Sequence, residues 1–185
     1  KNFGAQGSGL VRTEHMFLNP SRLHNVRLML LKYLEYINIT GIDKASLSRK
    51  AQLVAELKDP QTGILTNLEK SQEEDFHGIY NIFNGQGVTS RLLDAPLHEF
   101  LPEKEEDLQR LQDDLGIDRP TLLQRLTRFH EVNPMLGFRS VRMGIIFPEI
   151  YKSQVKAMLR AAGRLMDNGK NPKVEIEIPL VSELK

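Results

Sequence analysis

Three arginines, Arg12, Arg91 and Arg139, stand at comparable places in three successive strand-and-loop segments. Arg12 closes the first segment, Arg91 lies inside the second and Arg139 leads into the third. A guanidinium group suits a phosphate or carboxylate because its planar fork donates paired hydrogen bonds and stays charged when partly desolvated. In parallel α/β folds, ligands bind outside the carboxyl ends of the strands, so residues distant in sequence can converge there. Spacing alone does not separate such a site from surface ion pairs, the commoner use of arginine at these places. Other chemistries have less behind them. The histidines at 15, 24, 77, 98 and 130 include no close pair that would set two metal ligands on one helix face, so no metal site is assigned. Gly4, Gly7 and Gly9 are followed neither by the Lys-Ser/Thr of a phosphate loop nor by dinucleotide-binding spacing. The acidic run Glu103 to Asp107 reads as the solvated first turn of a helix, where the dipole favours negative charge.

The elements that must position the arginines follow from periodicity and punctuation. A short apolar stretch, Gly9 to Val11, precedes Arg12; Asn19-Pro20 then offers a cap and a proline at the first helical position. The helix opened there carries Leu23, Val26, Leu30, Leu34 and Ile37 on one stripe, with Arg27 and Lys32 off it, and is expected to lie on a sheet and stop near Gly41. A second helical pattern (Leu47, Ala51, Val54, Leu57) ends at Asp59-Pro60, and a third (Leu68, Phe76, Ile79, Phe83) ends at Asn84-Gly85. Val88 to Leu93 reads as a buried strand. Two helices follow, one with Leu108, Leu111 and Leu115 closed by Gly116, the other opened by Pro120 and running through Leu123, Leu126 and Phe129. Val141 to Phe147 is predicted as a strand, Pro148 to Asn168 as a helix, and Val174 to Leu180 as a closing strand. About four strands alternating with helices predict an α/β fold with a parallel sheet and crossover connections.

Bulk composition narrows the partners. Twenty-five Lys and Arg against twenty-four Asp and Glu give a formal charge of +1, so no broad field attracts nucleic acid or an anionic membrane. An anion must therefore be held by local placement. No apolar run approaches the ~20 residues that span a bilayer, and the first nine residues lack the apolar core of a secretory signal. The absence of cysteine removes disulfides, thiolate metal sites and thiol nucleophiles, and fits a cytoplasmic location.

The wording around the arginines carries more than their spacing. G-L-V-R-T-E-H-M-F (Gly9 to Phe17), R-L-L-D-A-P-L-H-E-F-L-P (Arg91 to Pro102) and H-E-V-N-P-M-L-G-F-R-S-V-R-M-G-I (His130 to Ile145) resemble three consecutive motifs of the pyruvate phosphate dikinase family, in the family's order. F-P-E-I-Y-K-S-Q (Phe147 to Gln154) and E-I-P-L-V (Glu177 to Val181) look like the next helix and strand. The resemblance implies part of a (β/α)8 TIM barrel that binds phosphoenolpyruvate or pyruvate at its C-terminal mouth. In the family the phosphoryl group passes to a histidine on a mobile domain, and ATP, phosphate and pyruvate are interconverted with AMP, diphosphate and phosphoenolpyruvate. Arg12, Arg91 and Arg139 match the family's arginines around the phosphoryl group. Asp94, three residues after Arg91, is expected to orient an arginine. Glu14, His15, Glu131 and Asn133 fall in the same motifs, as supporting partners rather than acids or bases.

Departures from the family set further expectations. In the family, the acidic ligands for Mg2+ and a cysteine that protonates the pyruvate enolate lie beyond the point where this chain ends. The phosphohistidine and nucleotide-binding domains lie before it begins, and the full-length enzyme is a homodimer. Residues 1–185 are thus expected to be a fragment of the substrate-binding barrel, inactive alone, with a helical insertion near 38–67 and Ser140 in place of a glycine common after the third arginine. The rival expectation is a non-catalytic dikinase-like module used for anion sensing or assembly.

Overall fold

Most helix boundaries follow from local signals. In the computed structural model, which describes residues 2–129, 137 and 139–183, the elements are β1 (Ser8–Arg12), α1 (Glu14–Phe17), α2 (Pro20–Asn38), α3 (Lys44–Leu57), α4 (Ile64–Ile82) and β2 (Gly87–Arg91). A short 3-10 helix (Leu97–Phe100) follows, then α5 (Glu105–Leu115), α6 (Arg119–Thr127), α7 (Ser140–Ile146), α8 (Glu149–Asp167) and β3 (Lys173–Glu177). Asn19 caps α2 by accepting the Ser21 N–H at 3.1 Å, with Pro20 opening the helix. Asp43 caps α3 by accepting the N–H groups of Ala45 and Ser46, each at 3.0 Å, and Asp118 caps α6 through the Thr121 N–H at 3.0 Å. Gly116 ends α5 at φ 62°, a left-handed conformation that costs a side-chain-bearing residue more than glycine.

These turns give stability a definite dependence on pH. Hydrogen bonds hold three carboxyls below the usual carboxylate range: chiefly from the Ser46 hydroxyl to Asp43, the Thr62 amide to Asp59 and the Thr121 hydroxyl to Asp118. A depressed folded-state value contributes stability above the unfolded value, near 4, and loses it as pH falls through the folded value. Burial acts in the opposite range, pushing Tyr80 up to about 12 and raising Tyr33 and Tyr151 as well. Stability held by a neutral buried phenol is complete below about pH 10 and is lost as pH rises beyond it. The thermal midpoint should therefore be flat between about pH 5 and pH 9 and fall on both sides, with Asp43→Asn keeping the cap but flattening part of the acid limb. A midpoint that climbs below pH 4 would contradict this assignment.

The chain divides into two compact units. One comprises Phe17–Thr66 and Ala95–Arg139 and is helical among its described residues. Its centre is α2, which packs against α3, α5, α6 and the 3-10 helix rather than on a sheet. The single-stripe expectation is corrected accordingly: Val26, Met29, Leu30, Leu31, Tyr33 and Leu34 are all buried, a face wide enough to meet several helices. Arg27, expected off the stripe, is buried too. Its Nε donates to the Phe100 carbonyl at 2.8 Å, Nη2 to the Leu101 carbonyl at 3.3 Å, and Nη1 pairs with Asp107 at 2.8 Å, so each nitrogen of the desolvated cation has a partner. In α3 the buried leucines are Leu53 and Leu57, while Leu47 is exposed; in α6, Leu122 is buried and Leu123 exposed.

The other unit comprises Lys1–Met16, Asn67–Asp94 and Ser140–Lys185, and holds the sheet. Its order is β1-β2-β3, all parallel, with Val11 opposite Ser90, Arg12 opposite Arg91 and Glu177 opposite Arg91 on the far side. Phe76 and Tyr80 of α4 and Ala157, Met158, Ala161, Ala162 and Leu165 of α8 close on Val88 and Leu92, covering one face. Strand alternation puts Val88, Ser90 and Val174 on that face and Thr89, Arg91, Glu175 and Glu177 on the other, where the Thr89 hydroxyl donates to Glu175 at 2.5 Å.

The fold is therefore α/β with a parallel sheet, but three strands are present among the described residues where about four were expected. Val141 to Ile146 is helical, and Phe147 follows the helix directly. Ser140, Met143 and Phe147 are buried at i, i+3 and i+7, a helical period, while Ile145 and Ile146 are exposed, which a buried strand would not allow. Gly144 permits the turn to approach α8, since a Cβ there would lie 2.6 Å from the Tyr151 ring.

Candidate functional site

The C-terminal ends of β1 and β2 carry the chemistry-bearing residues of the sheet unit. Arg12 and Arg91 are the last residues of their strands and register partners, so their backbones lie one inter-strand spacing apart, about 4.8 Å. Arg12 is exposed, and its guanidinium has no acidic partner among the described residues. Arg91 is held on two sides. Its Nη2 donates to Oε1 of Glu14 at 3.0 Å, and its Nη1 pairs with Oδ2 of Asp94 at 3.2 Å. Both carboxylates are buried, at 7% and 6% exposure, while a fifth of the Arg91 side chain reaches solvent. Oε1 of Glu14 also accepts the Asp94 N–H at 3.0 Å, so one carboxylate oxygen ties the guanidinium to the backbone that follows it. Oε2 of Glu14 and Nε of Arg91 are buried without a hydrogen-bond partner among the described residues.

Ser140 adds a third anchor. It is fully buried at φ 57°, in the left-handed region that favours glycine, and its hydroxyl donates to Oδ1 of Asp94. Left-handed backbone costs a residue with a Cβ on the order of 1–2 kcal/mol, and the buried hydrogen bond offsets it. Asp94 thus uses one oxygen for Ser140 and the other for Arg91. Tyr151 stands beside this group, its hydroxyl donating to the Leu93 carbonyl at 3.0 Å. Burial, and then the charges of Asp94 and Glu14, raise its pKa above the ordinary phenol value, so it remains a donor.

Of the residues singled out from sequence, Arg12, Arg91, Glu14 and Asp94 lie in this cluster. His15 is exposed on α1. Arg139 is buried and groups with the helical unit; it precedes Ser140 directly in the chain. It does not lead into a strand, because the segment after it is α7. Glu131 and Asn133 lie outside the described residues. Sequence reasoning missed Thr13, Gln72, Tyr151 and Gln154, all bonded to or beneath the cluster. The available signal was a pair of polar residues, Ser153 and Gln154, among the otherwise apolar buried residues of α8.

An α/β protein with a parallel sheet and paired arginines at its strand ends is the class defined by these observations, and the chain belongs to the PEP-utilising enzymes, matching their PEP-binding domain family over residues 1–185. It is 40% identical over 185 residues to the pyruvate, phosphate dikinase of Treponema pallidum (strain Nichols), covering 97% of this chain and 18% of that protein. It is 40% identical over 181 residues to the pyruvate, phosphate dikinase of Giardia intestinalis, covering 98% of this chain and 18% of that one. Pyruvate, phosphate dikinase 1, chloroplastic, of Arabidopsis thaliana is 41% identical over 180 residues, 96% of this chain and 16% of that protein. The chain thus spans less than a fifth of the length of these relatives. Among the described residues no helix is long and apolar enough to cross a membrane.

Proposed function

We propose that residues 1–185 are the substrate-binding segment of a pyruvate phosphate dikinase, part of a phosphoenolpyruvate- and pyruvate-binding (β/α)8 barrel with a helical insertion near 38–67. The whole enzyme interconverts ATP, phosphate and pyruvate with AMP, diphosphate and phosphoenolpyruvate through a phosphohistidine. It does so as a cytoplasmic homodimer with the phosphohistidine and nucleotide-binding domains in the same polypeptide, and the segment alone does not turn over. The reading draws on the family membership and on the names of the relatives. The observation that carries it is the register of Arg12 with Arg91 at the strand ends, with Arg91 pre-set by Glu14 and Asp94.

Arg12, Arg91 and Arg139 neutralise the oxygens of the transferring phosphoryl group, where positioning and electrostatics supply most of the catalysis. Glu14 and Asp94 orient Arg91, and His15, Glu131 and Asn133 stand in the supporting shell. Charge balance explains why the third arginine is required. Arg91 is paired with both Glu14 and Asp94, and Glu177 is next to it in register, so even with Arg12 the strand ends alone offer an anion no surplus of positive charge. Mg2+ belongs to the whole-enzyme reading. Among the described residues no three His, Asp or Glu side chains gather as a ligand set, and the reading places the ion's ligands in other parts of the whole enzyme.

Calorimetric titration with phosphoenolpyruvate tests the site. Arg12→Ala removes an exposed charge-assisted donor and should weaken binding by about 2 kcal/mol, roughly thirtyfold. A parent chain that binds no phosphoenolpyruvate, or an Arg12→Ala variant that binds as tightly as the parent, overturns the reading.

A further inference from the structure

Beneath the charged cluster lies a buried layer of neutral hydrogen bonds that has no direct part in holding an anion. Thr13 is fully buried; its hydroxyl donates to the backbone carbonyl of Arg91 at 2.9 Å and accepts from Nε2 of Gln154 at 3.1 Å. Gln154, also fully buried, accepts the Leu93 N–H at Oε1, 2.9 Å away, while its Nε2 also reaches Oε1 of Gln72 at 3.2 Å. The Leu92 N–H donates to the Glu177 carbonyl at 2.9 Å and is the last ladder-like bond after β2. Beyond it the chain leaves the sheet while still buried, and its backbone groups need partners. Side chains from other segments supply them: Thr13 takes the Arg91 carbonyl, Gln154 the Leu93 N–H, Tyr151 the Leu93 carbonyl and Glu14 the Asp94 N–H.

We propose that Thr13 is a positioning residue for the arginine site, its hydroxyl clamped between Gln154 and the Arg91 carbonyl so that the strand ends bearing Arg12 and Arg91 keep their mutual register. The proposal rests on the reading of Arg12 and Arg91 as an anion site. Threonine suits the place because a hydroxyl donates and accepts at once, and the β-branch restricts its rotamer. Thr13 follows Arg12 in the chain and bonds the residue that is Arg12's register partner, so one side chain spans both strand ends. Gln154 extends the same connection from α8 to the peptide before Asp94, the carboxylate that pairs with Arg91.

Thr13→Val keeps the shape and removes the hydroxyl, leaving the Arg91 carbonyl without this donor; Thr13→Ser keeps the hydroxyl. Amide hydrogen exchange and phosphoenolpyruvate affinity are measured on the parent chain and both variants. In Thr13→Val, exchange at Leu93 and Asp94 should quicken about tenfold, the scale of one buried hydrogen bond, with exchange at Met158 in α8 unchanged and affinity lowered about tenfold. Thr13→Ser should restore both. Unchanged exchange at Leu93 and Asp94, equal quickening at Met158, or failure of the serine variant to restore affinity overturns the proposal. A parent chain that binds no phosphoenolpyruvate overturns the anion reading instead, and the exchange comparison still decides whether the clamp exists. Should Thr13→Val not fold, Gln154→Met severs the other half: quickened exchange at Asp94, whose N–H is held by Glu14 and not by Gln154, supports the clamp and parent-like exchange there refutes it.

Discussion

Arg91→Ala should lower the free energy of unfolding by about 3 kcal/mol, a larger loss than any effect expected from the exposed Arg12. The reason is what the arginine leaves behind. Glu14 and Asp94 are 7% and 6% exposed, and both direct an oxygen at Arg91, so removing the guanidinium takes a shared cation from two carboxylates in a poorly hydrated site. Breaking a buried pair costs about 3–5 kcal/mol; the lower end applies because the Arg91 side chain is 20% exposed and water screens part of the interaction. Arg91→Lys keeps the charge but cannot bridge two carboxylates as a planar fork does, and should recover less than half of the loss. Urea unfolding measures the effect, which should appear in the midpoint with the slope unchanged. A loss under about 1 kcal/mol would mean that the two carboxylates are hydrated without their partner.

Phe76→Ala should cost about 3–5 kcal/mol and act on the strand ends from below. Phe76 is fully buried in the core that joins α4, α8 and β2, and its ring stacks on Tyr80 with centroids 5.6 Å apart and planes 20° from parallel. Tyr80 in turn meets the Ser90 hydroxyl at 3.1 Å, one residue before Arg91. Deleting the ring removes its transfer free energy and leaves a cavity under the residues that carry the site, which a close-packed interior fills only in part. Thermal unfolding reads the loss, and amide exchange along β2 should quicken together with it. Phe76→Leu should retain most of the stability because it fills most of the space. An alanine variant within about 1 kcal/mol of the parent would show that the α4 contact does not support the sheet.

Much of the helical framework was legible because its signals are local. Asn19-Pro20 and Gly116 mark the start of α2 and the end of α5, and both act through groups within a few residues of themselves. The phase of a stripe was harder to read where leucines adjoin: Leu122 rather than Leu123 faces inward in α6, and periodicity alone does not choose between neighbours. Val141 to Phe147 misled because Val, Ile and Phe favour strands, yet the buried set Ser140, Met143 and Phe147 follows a helical period. Arg27 shows the same limit for charge. A cation is placed outside by default, and only the carbonyls of Phe100 and Leu101 together with Asp107 make its burial favourable.

The amino-acid sequence by itself determined the types of group at the site, the caps that begin the helices and the family wording around Arg12, Arg91 and Arg139, because each is written in neighbouring residues. Tertiary structure alone decided that Arg12 stands beside Arg91, that Glu14 and Asp94 hold the second of these, and that Thr13 meets a glutamine 141 positions away. Those contacts depend on strand register and on how α8 settles over the sheet, and a change of one residue in register would turn every side chain of a strand to its opposite face.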